Sequence, residues 1–213
     1  MGDLSFTADG TKVFQTELVA HDVDLSEVFS SSTKNTKPST LGILEGCFEI
    51  DQIGDIETRQ GDFEAEISNA RWGRLPLGVG LFKILHLKIP DDSAFNTATV
   101  SGVIQGDDYY MQNIVIMGDV MQIVGGGQVE MPQGEVELGF GVFTSSHPIT
   151  NLPLIKQLSE FIQKLSPVQQ FRASGDVYNL NKISFKPVVF EVLESWLKTV
   201  GNVIPKPVKS SSK

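Results

Sequence analysis

The feature that most constrains this chain is a strict two-residue alternation that repeatedly follows a glycine. In residues 61–67 the apolar Phe63, Ala65 and Ile67 alternate with Asp62, Glu64 and Glu66. In residues 134–142, Val136, Leu138, Phe140 and Val142 alternate with Glu135, Glu137, Gly139 and Gly141. Shorter versions occupy residues 46–50 and 127–131. Successive side chains of an extended chain point to opposite faces, whereas a helix would scatter these apolar positions around its axis. The pattern therefore predicts antiparallel strands with one apolar and one wet face. The spacing between instances is unequal, which indicates a meander rather than a tandem repeat.

The remaining segments fill in the organisation. Residues 13–20 read as extended, and residues 24–29 as a short helical turn. Residues 97–105, 110–117 and 120–124 read as strands, and residues 171–180 and 183–185 as a strand pair. The Gly125-Gly126-Gly127 cluster between strands reads as a bulge or tight bend, and Pro132-Gln133-Gly134 as a turn. Apolar residues at helical spacing predict three helices: Leu81, Phe82, Leu85 and Ile89; Leu154 to Leu165, with Asn151 as its cap; and Val189 to Val200, stopped by Gly201. The expected fold is α+β and β-rich: a curved antiparallel meander, its apolar face covered or end-capped by about three helices. Residues 1–29 are expected to pack on the main sheet, 30–40 to form a polar linker, 41–204 to form the main domain, and 205–213 to be a disordered tail.

Composition then excludes whole classes. The chain has 213 residues, 17 Lys and Arg against 26 Asp and Glu, and a formal net charge of −9. That balance argues against nucleic acid or an anionic membrane surface as the main partner. The one cysteine, Cys47, allows neither an intrachain disulfide nor a multi-cysteine zinc site. No stretch reaches the roughly 18 uninterrupted apolar residues of a membrane-spanning helix, and residues 75–89 are broken by Pro76, Gly78, Gly80, Lys83, His86 and Lys88. The first residues lack the basic and apolar regions of a signal peptide.

Residues suited to catalysis are sparse. His21, His86 and His147 are isolated along the chain and read as surface or capping histidines, so no metal site is expected. The pairs Asp22/Asp24, Asp91/Asp92 and Asp107/Asp108 read as turn residues. Acid–base chemistry would need distant groups such as Asp92 and Asp108 to meet across a cleft. Cys47 has no basic neighbour in sequence and reads as a plain thiol. No catalytic residue, cofactor or enzymatic activity is expected. The acidity has an address instead: Glu49, Glu64, Glu66, Glu130, Glu135 and Glu137 fall on the polar strand faces.

The order of the motifs resembles the AsmA-like C-terminal region, a family that includes TamB-related and YhdP-type bacterial envelope proteins. The resemblance is carried by residues 69–76 (Asn-Ala-Arg-Trp-Gly-Arg-Leu-Pro), 95–102 (Phe-Asn-Thr-Ala-Thr-Val-Ser-Gly), 125–131 (Gly-Gly-Gly-Gln-Val-Glu-Met) and 173–187. The last is a lengthened form of the family's late element, with extra residues before Pro187. The similarity spans residues 41–190 and implies a non-enzymatic periplasmic or periplasm-facing module. Its function would lie in phospholipid transport or outer-membrane biogenesis, with acyl chains held in an apolar sheet groove. The candidates for that groove are Ile114, Ile116, Val136, Leu138, Phe140 and Val142. The same residues also suit an ordinary core beneath helices. The rival function is an assembly module that docks an envelope protein through a sheet edge.

Overall fold

The computed structural model describes residues 2–6, 11–25, 42–69, 96–118, 121–144 and 169–188. Ten strands follow one another as β1 (Gly2–Phe6), β2 (Lys12–Asp24), β3 (Ile43–Ile53), β4 (Gln60–Ser68), β5 (Thr97–Gln105), β6 (Asp108–Met117), β7 (Met121–Glu130), β8 (Glu135–Thr144), β9 (Gln169–Asp176) and β10 (Ser184–Pro187). They form one sheet in which spatial order equals chain order, each strand antiparallel to the next. The sheet is open, with β1 and β10 at its edges. The β-rich antiparallel meander read from the alternation is therefore the fold.

One reading changes, and the helical ones reach beyond the described residues. The three expected helices are not seen among the described residues, where the helical pieces are Leu25 and the short 3-10 turns Ile56–Thr58 and Val177–Lys182. The three apolar stripes at helical spacing lie outside the described residues. β2 runs through Asp24; Leu25, whose amide donates to the Gly42 carbonyl at 3.0 Å, is helical, and the rest of the turn expected over 24–29 lies outside the described residues. The triple glycine does not separate two strands: Gly125, Gly126 and Gly127 pair without interruption with Phe140, Gly139 and Leu138 inside β7–β8. The irregularity sits in the partner strand, where register shifts between Met111 and Ile114 in β6. An extra residue there bends the strand and increases its twist.

The sheet curls. β4 and β10 are six strand positions apart, about 29 Å in a flat sheet at the usual spacing. Yet Ala65 and Ile67 from β4 and Ile183 and Phe185 at β10 bound a single cavity. Similarly, β3 and β6 would lie about 14 Å apart when flat, but the Phe48 and Tyr109 rings stack with centroids 6.3 Å apart. Side chains on a concave face converge, so a bulky residue cannot stand on every strand. Register meets that limit by alternating large and small across the strands: Phe63, Gly102, Met111, Gly127, Leu138, Ala173 and Phe185 face one another in turn. A Cβ on Gly102 would stand 2.7 Å from the Phe63 ring, and one on Gly125 would stand 2.5 Å from the Phe140 ring. The two rings occupy the space those glycines leave.

The opposite face is wet only in part. Glu49, Glu64, Glu66, Glu130, Glu135 and Glu137 are all exposed, as the alternation requires. In the middle of the sheet, however, Val103, Val115, Val124 and Phe143 project to that same side and are buried, Val124 completely. The one-sided description therefore holds for β3, β4 and the first half of β8, and gives way to two-sided burial in the centre. At the strand ends, Arg59 donates to Gln52 at 3.2 Å and lies 3.7 Å from Asp107. Gln128 donates to Asp108 at 3.0 Å, tying the β5–β6 hairpin to β7.

Gly102→Ala should lower stability by about 1–3 kcal/mol, because its Cβ would press on the Tyr110 carbonyl oxygen and the Phe63 ring, measured as a lower urea midpoint with unchanged slope. An unchanged midpoint would contradict the close approach of β5 and β6 at Gly102.

Candidate functional site

The concave face holds a cavity of about 260 Å³. Of the six groove candidates, Ile114, Ile116, Val136, Leu138 and Phe140 line it. Val142 belongs to the same buried cluster but does not reach the lining. Their convergence follows from register: Ile114 faces Gly125, which faces Phe140, while Val129 faces Val136 on the adjoining pair. Phe140 then stacks on the fully buried Phe171 with centroids 5.2 Å apart.

Sequence reading missed much of the remaining wall, including Ala65, Ile67, Met111, Ala173 and Phe185. Ala65 and Ile67 carried a usable signal, since they share the alternation of residues 61–67. Met111 was hidden by the irregular register of β6, and Phe185 by the shortness of β10. Among the described residues, Thr99 is the one lining residue with a polar side chain. Among the described residues no charged side chain stands there to pair with a ligand charge. Such a surface favours hydrocarbon and penalises any buried ionic group.

A second cavity, about 270 Å³, lies along the concave side of β2–β4 and is lined by Leu18, Ala20, Leu44, Phe48 and Phe63, among others. Ala65 borders both cavities. The apolar surface reaches solvent at this end, where Leu18 is 58% and Phe14 37% exposed.

Cys47 and Glu64 border the second cavity, and the other titratable groups described lie away from both. His21 is not as isolated as its sequence position implied. A register shift between Ala20 and Val23 places Asp22 in the left-handed region (φ 52°) and brings His21 Nε2 within 3.2 Å of Asp22 and Nδ1 within 3.7 Å of Glu45. The carboxylates address opposite ring nitrogens and all three side chains are exposed, an arrangement that holds an imidazole rather than chelating an ion. Asp108 accepts from Gln128 and, at 3.3 Å, from the Tyr110 hydroxyl. Burial, followed by the Asp108 charge, pushes the Tyr110 phenol up. Asp91, Asp92, His86 and His147 lie outside the described residues.

Cys47, half-buried on β3, faces Glu49 and Glu17. Desolvation, then the Glu49 and Glu17 carboxylates, push its thiol up from its ordinary value. Since the thiolate is the nucleophile, less of it exists at a given pH. Alkylation by iodoacetamide should therefore be slower than for free cysteine at neutral pH, with its rate climbing at higher pH. Glu49→Gln should move that climb downward. A pH profile identical to free cysteine would contradict the assignment.

Compared with known protein families, curated proteins and solved structures, the chain matches none of them.

Proposed function

We propose that the concave apolar face of this sheet holds phospholipid acyl chains, and that the chain is a non-enzymatic cell-envelope module acting in phospholipid transport or outer-membrane biogenesis. The observation that carries this reading is the cavity of about 260 Å³ walled by aliphatic and aromatic side chains, without a charged residue among the described ones. The resemblance of residues 41–190 to AsmA-like proteins agrees with it and supplies the periplasm-facing location. The α-helical stripes at 81–89, 154–165 and 189–200 belong to the same proposal, as covers or end caps of the sheet. Among the described residues no helix is long and apolar enough to cross a membrane.

A second reading, docking through a sheet edge, draws on the asymmetry of the two edges. β10 carries Lys186 and Pro187, which discourage strand addition, whereas β1 (Gly-Asp-Leu-Ser-Phe) has neither.

Titration with a fluorophore-labelled fatty acid should show saturable binding that Ile114→Trp, which fills the cavity, weakens at least tenfold while the circular dichroism spectrum is unchanged. Non-saturable partitioning, or equal binding by a folded Ile114→Trp variant, would contradict the proposal. Lysines at Asp3 and Ser5 should leave fatty-acid binding intact. If they abolish assembly with an envelope protein and the wild-type chain binds no fatty acid, edge docking is the function.

A further inference from the structure

The two concave cavities meet at one residue. Ala65 lines both, and its neighbour across β3 is Gly46, whose missing side chain leaves the two backbones close: a Cβ there would stand 3.1 Å from the Ala65 Cβ and 2.7 Å from the Glu64 carbonyl oxygen. Larger residues stand on both sides of this pair along the strands. Phe48 faces Phe63 on one side, and Leu44 faces Ile67 on the other. The result is a low saddle between two mainly apolar compartments, the second bordered also by Cys47 and Glu64, with higher walls parallel to it. From the first cavity the saddle leads across β4 and β3 toward Ala20 and Leu18 on β2.

Resting on the acyl-chain reading above, we infer that Ala65 sets the length of chain the protein accepts: one unbranched hydrocarbon lies across the strands, enters both cavities and passes over Ala65. A compact apolar ligand would fill one cavity and ignore the saddle. A flexible chain gains contact for each methylene laid beyond it. Burial makes each added methylene worth about a fourfold gain in affinity while it remains inside the groove.

The test is competition of saturated fatty acids of 8, 10, 12, 14 and 16 carbons against the labelled fatty acid, on wild-type protein and on Ala65→Phe. Wild-type affinity should rise steadily through the longest chains. Ala65→Phe should bind the shortest chains within about twofold of wild type and then stop gaining as length increases. Ala65→Val, a smaller obstruction, should give a weaker form of the same break and serves if the phenylalanine variant does not fold. Parallel chain-length series for wild type and a folded Ala65 variant would overturn this inference while leaving acyl binding in the first cavity intact. Absence of saturable binding by wild-type protein at every length would overturn both.

Discussion

Convergence of side chains on the concave side of a strongly curled sheet is the constraint on which the rest of this structure depends. A flat ten-strand sheet could carry a large apolar residue at every inward position. A curled one cannot, because the inward tips approach one another as the backbone bends. The chain answers with glycine or alanine opposite bulky residues, as in the run Phe63, Gly102, Met111, Gly127, Leu138. The cavity follows from the same geometry. Where small residues outnumber what the neighbouring rings fill, space remains, and it is bounded by whatever the strands point inward.

That geometry also explains why the chemistry is divided so cleanly. Charged groups are found on the outward strand positions and at hairpin ends, where water or a partner reaches them. Arg172 pairs with Glu137 on the outer face, both half-exposed, an interaction of the kind that contributes about 0–1 kcal/mol. The ionisable clusters at His21 and Cys47 are surface features of β2 and β3. The inward face recognises size and hydrocarbon character. Ala65, Gly46 and Phe140 therefore matter for the volumes they occupy or leave empty.

The sequence disclosed the periodic parts of this arrangement and concealed those that depend on pairing. The period-two runs of residues 61–67 and 134–142 became β4 and β8 within a few residues, and residues 97–105 became β5 with the same bounds. Five of the six groove candidates came together because they shared an alternation on adjacent or nearby strands. The triple glycine misled because local rules treat such a cluster as a bend. Its pairing across to Phe140 and Leu138 is long-range information. β1 was missed although the hairpin signal Asp9-Gly10 follows it, and the buried outer band of Val103, Val115, Val124 and Phe143 depends on what the folded chain places over alternate positions. Curl itself is absent from any single strand's pattern, so the contribution of Phe185 to the same cavity as Ala65 was not legible.

The central claim is that the inward face, and not the outer one, is where an acyl chain lies. Photo-crosslinking with a diazirine-bearing fatty acid, followed by mass-spectrometric mapping, tests it most directly. The account predicts adducts on inward residues such as Ile67, Ile114 and Leu138, suppressed by excess unlabelled fatty acid. Adducts on outward positions such as Glu66 and Glu137, or labelling that competitor does not reduce, would contradict it.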